Sequence, residues 1–198
     1  LVGIGVVDPR KVKQNSGGRA GDHLILGKPL GVGIYSAALK KDLLSADQYT
    51  AMIAATTQLN TAGADLAAID GVHAMTDITG FGLLGHLLEI TRASKLAAHV
   101  ELARLPLFPG VGALAQSGHI TGASERNWAS YGSEVRLADG IADWQRALLT
   151  DPQTSGGLLV SCAPESREAV LEIFHRHGFM QAAEIGRLDA GSQVSIGL

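Results

Sequence analysis

Between Thr76 and Leu88 a carboxylate, three glycines and a leucine-rich stretch follow one another without a break: Thr76-Asp77-Ile78-Thr79-Gly80-Phe81-Gly82-Leu83-Leu84-Gly85-His86-Leu87-Leu88. Val72–Thr76 reads as a strand, and Leu83, Leu84, Leu87 and Leu88 recur at helical spacing. The chain must therefore pass from strand through a tight turn into an amphipathic helix, with Asp77 delivered to the strand end. A helix N-terminus carries unpaired amides and the positive end of the helix dipole, so it attracts anions. Glycine lets a phosphate approach the backbone closely. Asp77 at that place suits a divalent cation, since Mg²⁺ takes one or two protein carboxylates and completes its shell with water and phosphate oxygens. The competing reading is a helix cap whose glycines pack on a neighbour. A D-x-x-G-x-G string alone does not decide between the two.

A second run, Asp151-Pro152-Gln153-Thr154-Ser155-Gly156-Gly157, stands directly before the apolar strand Leu158-Leu159-Val160. Thr154, Ser155, Gly156 and Gly157 can present hydroxyls and amides to an anion. The alternative is a plain turn in which Asp151 satisfies its own loop amides. Together the two runs resemble the C-terminal domain of the selenophosphate synthetase (selenide, water dikinase) family, which carries TD-[VI]-TGFGLLGH and, further on, DPQTSGG before a strand. Gly27-Lys28-Pro29-Leu30-Gly31, Glu125-Arg126-Asn127 and Ala129-Ser130-Tyr131-Gly132 extend the resemblance over nearly the whole chain. The first motif is shared loosely with the wider superfamily of ATP-using synthetases related to aminoimidazole ribonucleotide synthetase. The second is much narrower.

That resemblance implies an enzyme that turns ATP, selenide and water into selenophosphate, AMP and phosphate. It implies Mg²⁺ ions tying the ATP phosphates to aspartates, mostly from an N-terminal domain. Asp77 matches the one metal-binding aspartate that the C-terminal domain contributes. Electrostatic clamping is the main work in phosphoryl transfer. On this expectation Asp77 completes the clamp, Thr79, Gly80 and Gly82 face the phosphates, and Thr154 and Ser155 shape the cleft floor. The family's reactive cysteine or selenocysteine and its partner lysine have no match here, so no catalytic residue is expected in this chain and the isolated part is expected to be inactive. Leu1–Val7 reads as a strand already under way, broken by Asp8-Pro9. Residues 1–14 are then the last strand and exit of an N-terminal ATP-binding domain, and residues 15–198 the C-terminal synthetase domain. The implied partners are that N-terminal domain, ATP and selenide, within a homodimer of the full-length protein. Two alternatives stand beside this: another ATP-dependent synthetase of the same superfamily, against which DPQTSGG argues, and a noncatalytic domain-docking module, which the absent nucleophile favours.

Composition narrows the classes further. A chain of 198 residues that is 46% hydrophobic can bury roughly 70% of its unfolded surface. No apolar run reaches the length of about 20 residues that a membrane helix needs. Net charge is −3 with lysines and arginines scattered, which argues against nucleic acid as a partner. The single cysteine, Cys162, cannot form an internal disulfide, and no Cys/His spacing suits zinc. A reducing cytoplasm fits, and Cys162 beside an apolar run reads as inert packing. His86 reads as a packed, hydrogen-bonded histidine more than as a ligand, and Lys28 as a surface lysine, the alternative being one that reaches a phosphate. Arg126 either contacts an anion across a domain interface or pairs with Glu125 or Glu134.

The remaining pattern alternates strands and helices. Asn15–Asp22 is a turn-rich connector. Strands are expected at His23–Leu26, Ala97–Glu101, Gly157–Ser161, Ala183–Arg187 and Gln193–Ile196. Helices are expected at Val32–Lys40, after a Ser45/Gln48 capping box with Met52, Ile53, Ala55 and Leu59 near one face, at Thr61–Ile69, Gly80–Ser94, Ile141–Leu149 and Glu165–His177. Leu105–Ser133 is rich in breakers and reads as an irregular excursion with one short helix near Val111–Ser117. The fold class expected is α+β, an α/β sandwich with a mixed, mostly antiparallel sheet flanked by helices.

Overall fold

The computed structural model describes residues 5–198, apart from the side chain of Arg10. Seven strands form one sheet in the order β2-β5-β1-β6-β3-β7-β4. They are β1 (His23–Leu26), β2 (Val72–Asp77), β3 (Ala97–Glu101), β4 (Val135–Leu137), β5 (Leu158–Cys162), β6 (Ala183–Asp189) and β7 (Val194–Gly197). The β1/β5, β1/β6, β2/β5 and β3/β6 pairs are antiparallel, whereas β7 runs parallel to both β3 and β4. The sheet is thus mixed and mostly antiparallel, as expected. β6 and β7 follow closely in sequence yet form no hairpin, because β3 lies between them.

Helices cover the sheet where its strands are apolar. Eight are present among the described residues: α1 (Val32–Leu39), α2 (Ala46–Thr57), α3 (Ala62–Ala67), α4 (Gly82–Ser94), α5 (Val111–Gln116), α6 (Gly122–Tyr131), α7 (Asp143–Leu149) and α8 (Arg167–Arg176). Leu83, Leu84, Leu87, Leu88 and Ile90 of α4 pack with Leu24, Leu26, Ala74 and Leu159 on one face. On the other face Leu66 of α3 and Val170 and Phe174 of α8 close over Ile25, Val72, Val160 and Cys162. Full burial pushes the Cys162 thiol up to about 12, so it stands as a packed, protonated thiol. A third cluster joins α1, α2, α5 and α7 through Ile34, Tyr35, Met52, Phe108, Val111 and Leu148. Among the described residues no helix is long and apolar enough to cross a membrane.

Four expectations need correcting. The stretch Leu105–Ser133 holds a second helix, α6, which Thr121 caps by accepting from the Ser124 amide. The short strand β4, with no counterpart in the sequence reading, follows it. On α2 only Met52 is buried and Ile53 is exposed, while Leu59 lies exposed beyond the helix end, so the apolar stripe is narrower than the spacing suggests. Of the strand expected at Leu1–Val7, residues 1–4 lie outside the described residues. Gly5–Val7 carry no strand, and Val6 and Val7 are exposed. The edge of β2 instead meets Gln14, whose carbonyl accepts from the Met75 amide at 3.4 Å.

The connector at Asn15–Asp22 is fastened to the sheet. Asp22 is 2% exposed, and its carboxylate accepts from Ser161 Oγ at 2.6 Å and from the Arg19 amide at 2.9 Å, with His73 Nδ1 2.8 Å away. Gly17 passes so close to β2 that an added Cβ would lie 2.1 Å from the His73 carbonyl oxygen.

Candidate functional site

The antiparallel pairing of β2 with β5 places Asp77 opposite Leu158. The end of β2 therefore meets the end of the Asp151–Gly157 loop, and the two sequence motifs become one place in space. The contact is backbone to backbone. The Ile78 amide donates to the Gly157 carbonyl at 3.0 Å, and the Gln153 amide donates to the Thr79 carbonyl at 3.0 Å. Gly156 presses against this turn: a Cβ there would lie 2.1 Å from the Ile78 carbonyl oxygen.

Within the turn each predicted residue takes a distinct position. Asp77 is exposed, and its carboxylate has no partner among the described residues. Thr79 Oγ1 lies 3.0 Å from His86 Nε2. Gly80 is exposed with open space where a Cβ would stand. Gly82 is buried at φ +69°, and its amide donates to the Thr79 carbonyl at 3.1 Å. The helix accordingly starts two residues after Gly80, at Gly82, and the Gly80 and Phe81 amides just ahead of it have no partner among the described residues. Gly85 is a packing glycine, with Phe81 and the Tyr131 ring where its Cβ would go.

The turn is held from behind by α6. Asn127 Nδ2 donates to the carbonyls of Gly80 (2.9 Å) and Thr150 (3.0 Å), and Tyr131 Oη donates to the Phe81 carbonyl (2.6 Å). Both residues belong to the matched segments Glu125-Arg126-Asn127 and Ala129-Ser130-Tyr131-Gly132, so these segments act by fixing the turn. Arg126 is exposed and without an ion pair among the described residues. Glu134 pairs with Arg92 instead. Phe81 is 58% exposed at the rim.

The Asp151–Gly157 loop does more than border the turn. Gln153 Oε1 accepts from the amides of Gly31 and Val32, both at 3.2 Å, and Asp151 Oδ2 accepts from the Gly33 amide at 2.9 Å. These amides open α1, whose own cap, Gly31, has no side chain to offer. Asp151 thus caps a distant helix, and within its own loop it accepts from the Gln153 side-chain amide at 3.0 Å, not from the loop's backbone amides as in the plain-turn alternative. The carboxyl is fully buried and pushed up to about 7; burial raises it, and hydrogen bonds from Gln153, Gly33 and Ile34 pull the other way. Lys28 also departs from expectation. It is 3% exposed, and its Nζ donates to the carbonyls of Ala55 (2.9 Å), Gln58 (2.7 Å) and Ser155 (2.8 Å), while burial lowers its pKa. Lys28 is therefore an internal clamp on the loop. Thr154 and Ser155 remain exposed on that loop, Ser155 at φ +50°.

No group of three or more His, Cys, Asp or Glu side chains converges among the described residues. Asp77 is a single exposed carboxylate in the same turn as the Thr79 hydroxyl and the Gly80 and Phe81 amides. Such a set can hold one side of a hydrated cation or a phosphate, with the remaining ligands coming from elsewhere.

Fold and site place the chain in a known class. Residues 19–198 match the family model described as AIR synthase related protein, C-terminal domain, and the chain belongs to that family. Within it the chain is similar to selenide, water dikinases. It is 60% identical over 192 residues to that of Pseudomonas straminea, covering 97% of this chain and 54% of the relative. It is 54% identical over 192 residues to that of Rhizobium meliloti (strain 1021), covering 97% of this chain and 55% of the relative. The chain spans about half the length of the curated relatives it matches. Among solved structures, Escherichia coli HypE superposes with a TM-score of 0.68 at 21% identity, over 93% of this chain and 48% of that one. Thiamine-monophosphate kinase from Stenotrophomonas maltophilia K279a superposes with 0.66 at 20% identity, over 96% of this chain and 54% of that one. At that identity the likeness is one of fold.

Proposed function

We propose that this chain is the C-terminal domain of a selenide, water dikinase and supplies one wall of its Mg²⁺-ATP cleft. The observation that carries the reading is the meeting of the two motifs at the end of β2, where the Asp77 carboxylate, exposed and without a partner among the described residues, belongs to the same turn as the Gly80 and Phe81 amides. The donor set fits the cation: Asp77 is a hard oxygen ligand, exposed and unneutralised among the described residues, as Mg²⁺ requires. Mg²⁺-ATP, when bound, supplies the phosphoryl group and the charge that steadies it in transfer. The chain's own residues hold and orient. Asp77 anchors the cation, the Gly80 and Phe81 amides face phosphate oxygens, and Thr154 and Ser155 border the cleft from the facing loop. Asn127, Tyr131 and Gln153 keep the turn in place. The exposed Phe81 ring packs against the N-terminal domain, residues 1–14 being the exit from that domain and residues 15–198 the C-terminal synthetase domain. One HypE structure of this fold was solved in complex with ATP, which supports nucleotide use on this scaffold. Selenide is the second substrate, and the working protein is a cytoplasmic homodimer that this domain completes. The test is to incubate the full-length protein with ATP, Mg²⁺ and selenide and follow AMP. Selenide-dependent AMP formation is expected; ATP turnover indifferent to selenide would sink the reading.

A further inference from the structure

His86 is 6% exposed on α4, and both of its ring nitrogens have partners: Nε2 lies 3.0 Å from Thr79 Oγ1 and Nδ1 lies 3.4 Å from Glu89 Oε2. We infer that His86 is a positioning residue: its Nε2 accepts a hydrogen bond from the Thr79 hydroxyl, so that the Thr79 oxygen faces the cation held by Asp77. This rests on the reading of Asp77 given above.

The argument follows the protons. An ionised carboxylate only accepts hydrogen bonds, so Glu89 assigns the single ring proton of a neutral His86 to Nδ1. Nε2 is then a lone pair, and its partner must donate. Thr79 has one hydroxyl proton, and that proton points inward to Nε2. What Oγ1 shows to the open side is lone pairs alone. Thr79 stands two residues after Asp77 in the same turn. A hydroxyl in this state can ligate a hard cation, or accept from a water bound to one, but it cannot donate to a phosphate oxygen. The opposite tautomer would reverse the polarity and turn the Thr79 proton outward to phosphate. Glu89 thus decides, through His86, that Thr79 serves the metal side of the cleft and not the phosphate side.

The test is a double-mutant cycle on the full-length protein, reading the Mg²⁺ dependence of ATP binding by calorimetry. His86→Leu and Thr79→Val should each weaken Mg²⁺ by about tenfold, the usual scale for losing a group that orients a ligand. The double variant should be no weaker than either single one, because both remove the same arrangement. His86→Gln, which keeps an acceptor near Nε2, should recover part of the affinity. Additive losses in the double variant, or a His86→Leu protein with unchanged Mg²⁺ dependence, would overturn the inference. Should His86→Leu fail to fold, ¹⁵N NMR of the wild-type ring decides: a protonated Nδ1 with a bare Nε2 supports it, and a protonated Nε2 with a bare Nδ1 overturns it. Asp77→Asn in the same titration separates the two claims. If it weakens Mg²⁺ while the cycle is additive, only the role of His86 fails. If it leaves Mg²⁺ unaffected, the metal reading of Asp77 fails and this inference falls with it.

Discussion

Asp151 is a carboxyl sealed from solvent at the mouth of a helix that begins 119 positions earlier in the chain, at Val32. Its pKa is raised from an ordinary 3.8 to about 7, chiefly by burial. The folded value lies above the unfolded one, so the fold favours the protonated form. That contribution is complete below about pH 4 and is lost as pH rises through about 7. Stability should therefore fall between pH 5 and pH 8, and Asp151→Asn, which keeps an acceptor for the Gly33 amide, should flatten the fall. Urea midpoints at the two pH values check this; parallel curves for variant and wild type would assign the titration elsewhere. Lys28 makes the complementary case. Lys28→Met leaves three carbonyls without their donor and should cost about 2–4 kcal/mol, read from the denaturant midpoint. A loss within about 0.5 kcal/mol would mean that water replaces the ammonium. Neither role was readable from sequence. The Asp151 partner is the Gly33 amide and the Lys28 partners are carbonyls of Ala55, Gln58 and Ser155, and backbone groups leave no mark in the side-chain pattern. The position of Asp77 at a strand end was readable because its surroundings are local: a strand before it, glycines and a helix after it.

The elements that sequence periodicity identified are those whose burial is decided locally. α4 has a leucine face, β1 an apolar run, and the Ser45/Gln48 box at the start of α2 forms as both reciprocal bonds. α6 escaped notice because the apolar count is low and glycines flank it. Its inward residues Ser124, Asn127, Trp128 and Tyr131 do keep helical spacing, but two of them are polar and are satisfied by bonds to Thr150 and Gly80. Strand order was equally out of reach, since β3 enters between β6 and β7 through pairing that no local signal encodes. The junction of β2 with the Asp151–Gly157 loop gives a prediction at this scale. Gly156→Ala would set a methyl 2.1 Å from the Ile78 carbonyl oxygen and 2.9 Å from Gln153 Cβ. Backbone cannot yield as a side-chain end does, so the variant should lose about 3 kcal/mol or more and loosen the Ile78–Gly157 bond. Amide exchange at Ile78 reports that bond directly. Unchanged protection and stability would show that the two loops part without cost.

At the scale of the molecule, the chain is a sheet covered on one face by α4 and on the other by α3 and α8, with a third helical cluster alongside. The candidate site sits at the margin, at the end of edge strand β2, and it is assembled from groups that face outward. An exposed carboxylate and the Gly80 and Phe81 amides share this turn, in a chain that spans about half the length of its relatives. The central claim is that Asp77 holds a cation and is not simply a polar residue at a strand end. Asparagine keeps its size and much of its capping ability but loses the charge a hard cation needs. The deciding measurement is the affinity of the full-length protein for ATP with and without Mg²⁺, wild type against Asp77→Asn, with a melting curve for each. The account predicts matching melting curves and an ATP affinity that Mg²⁺ raises in the wild type far more than in the variant. Equal Mg²⁺ dependence in the two proteins would contradict it.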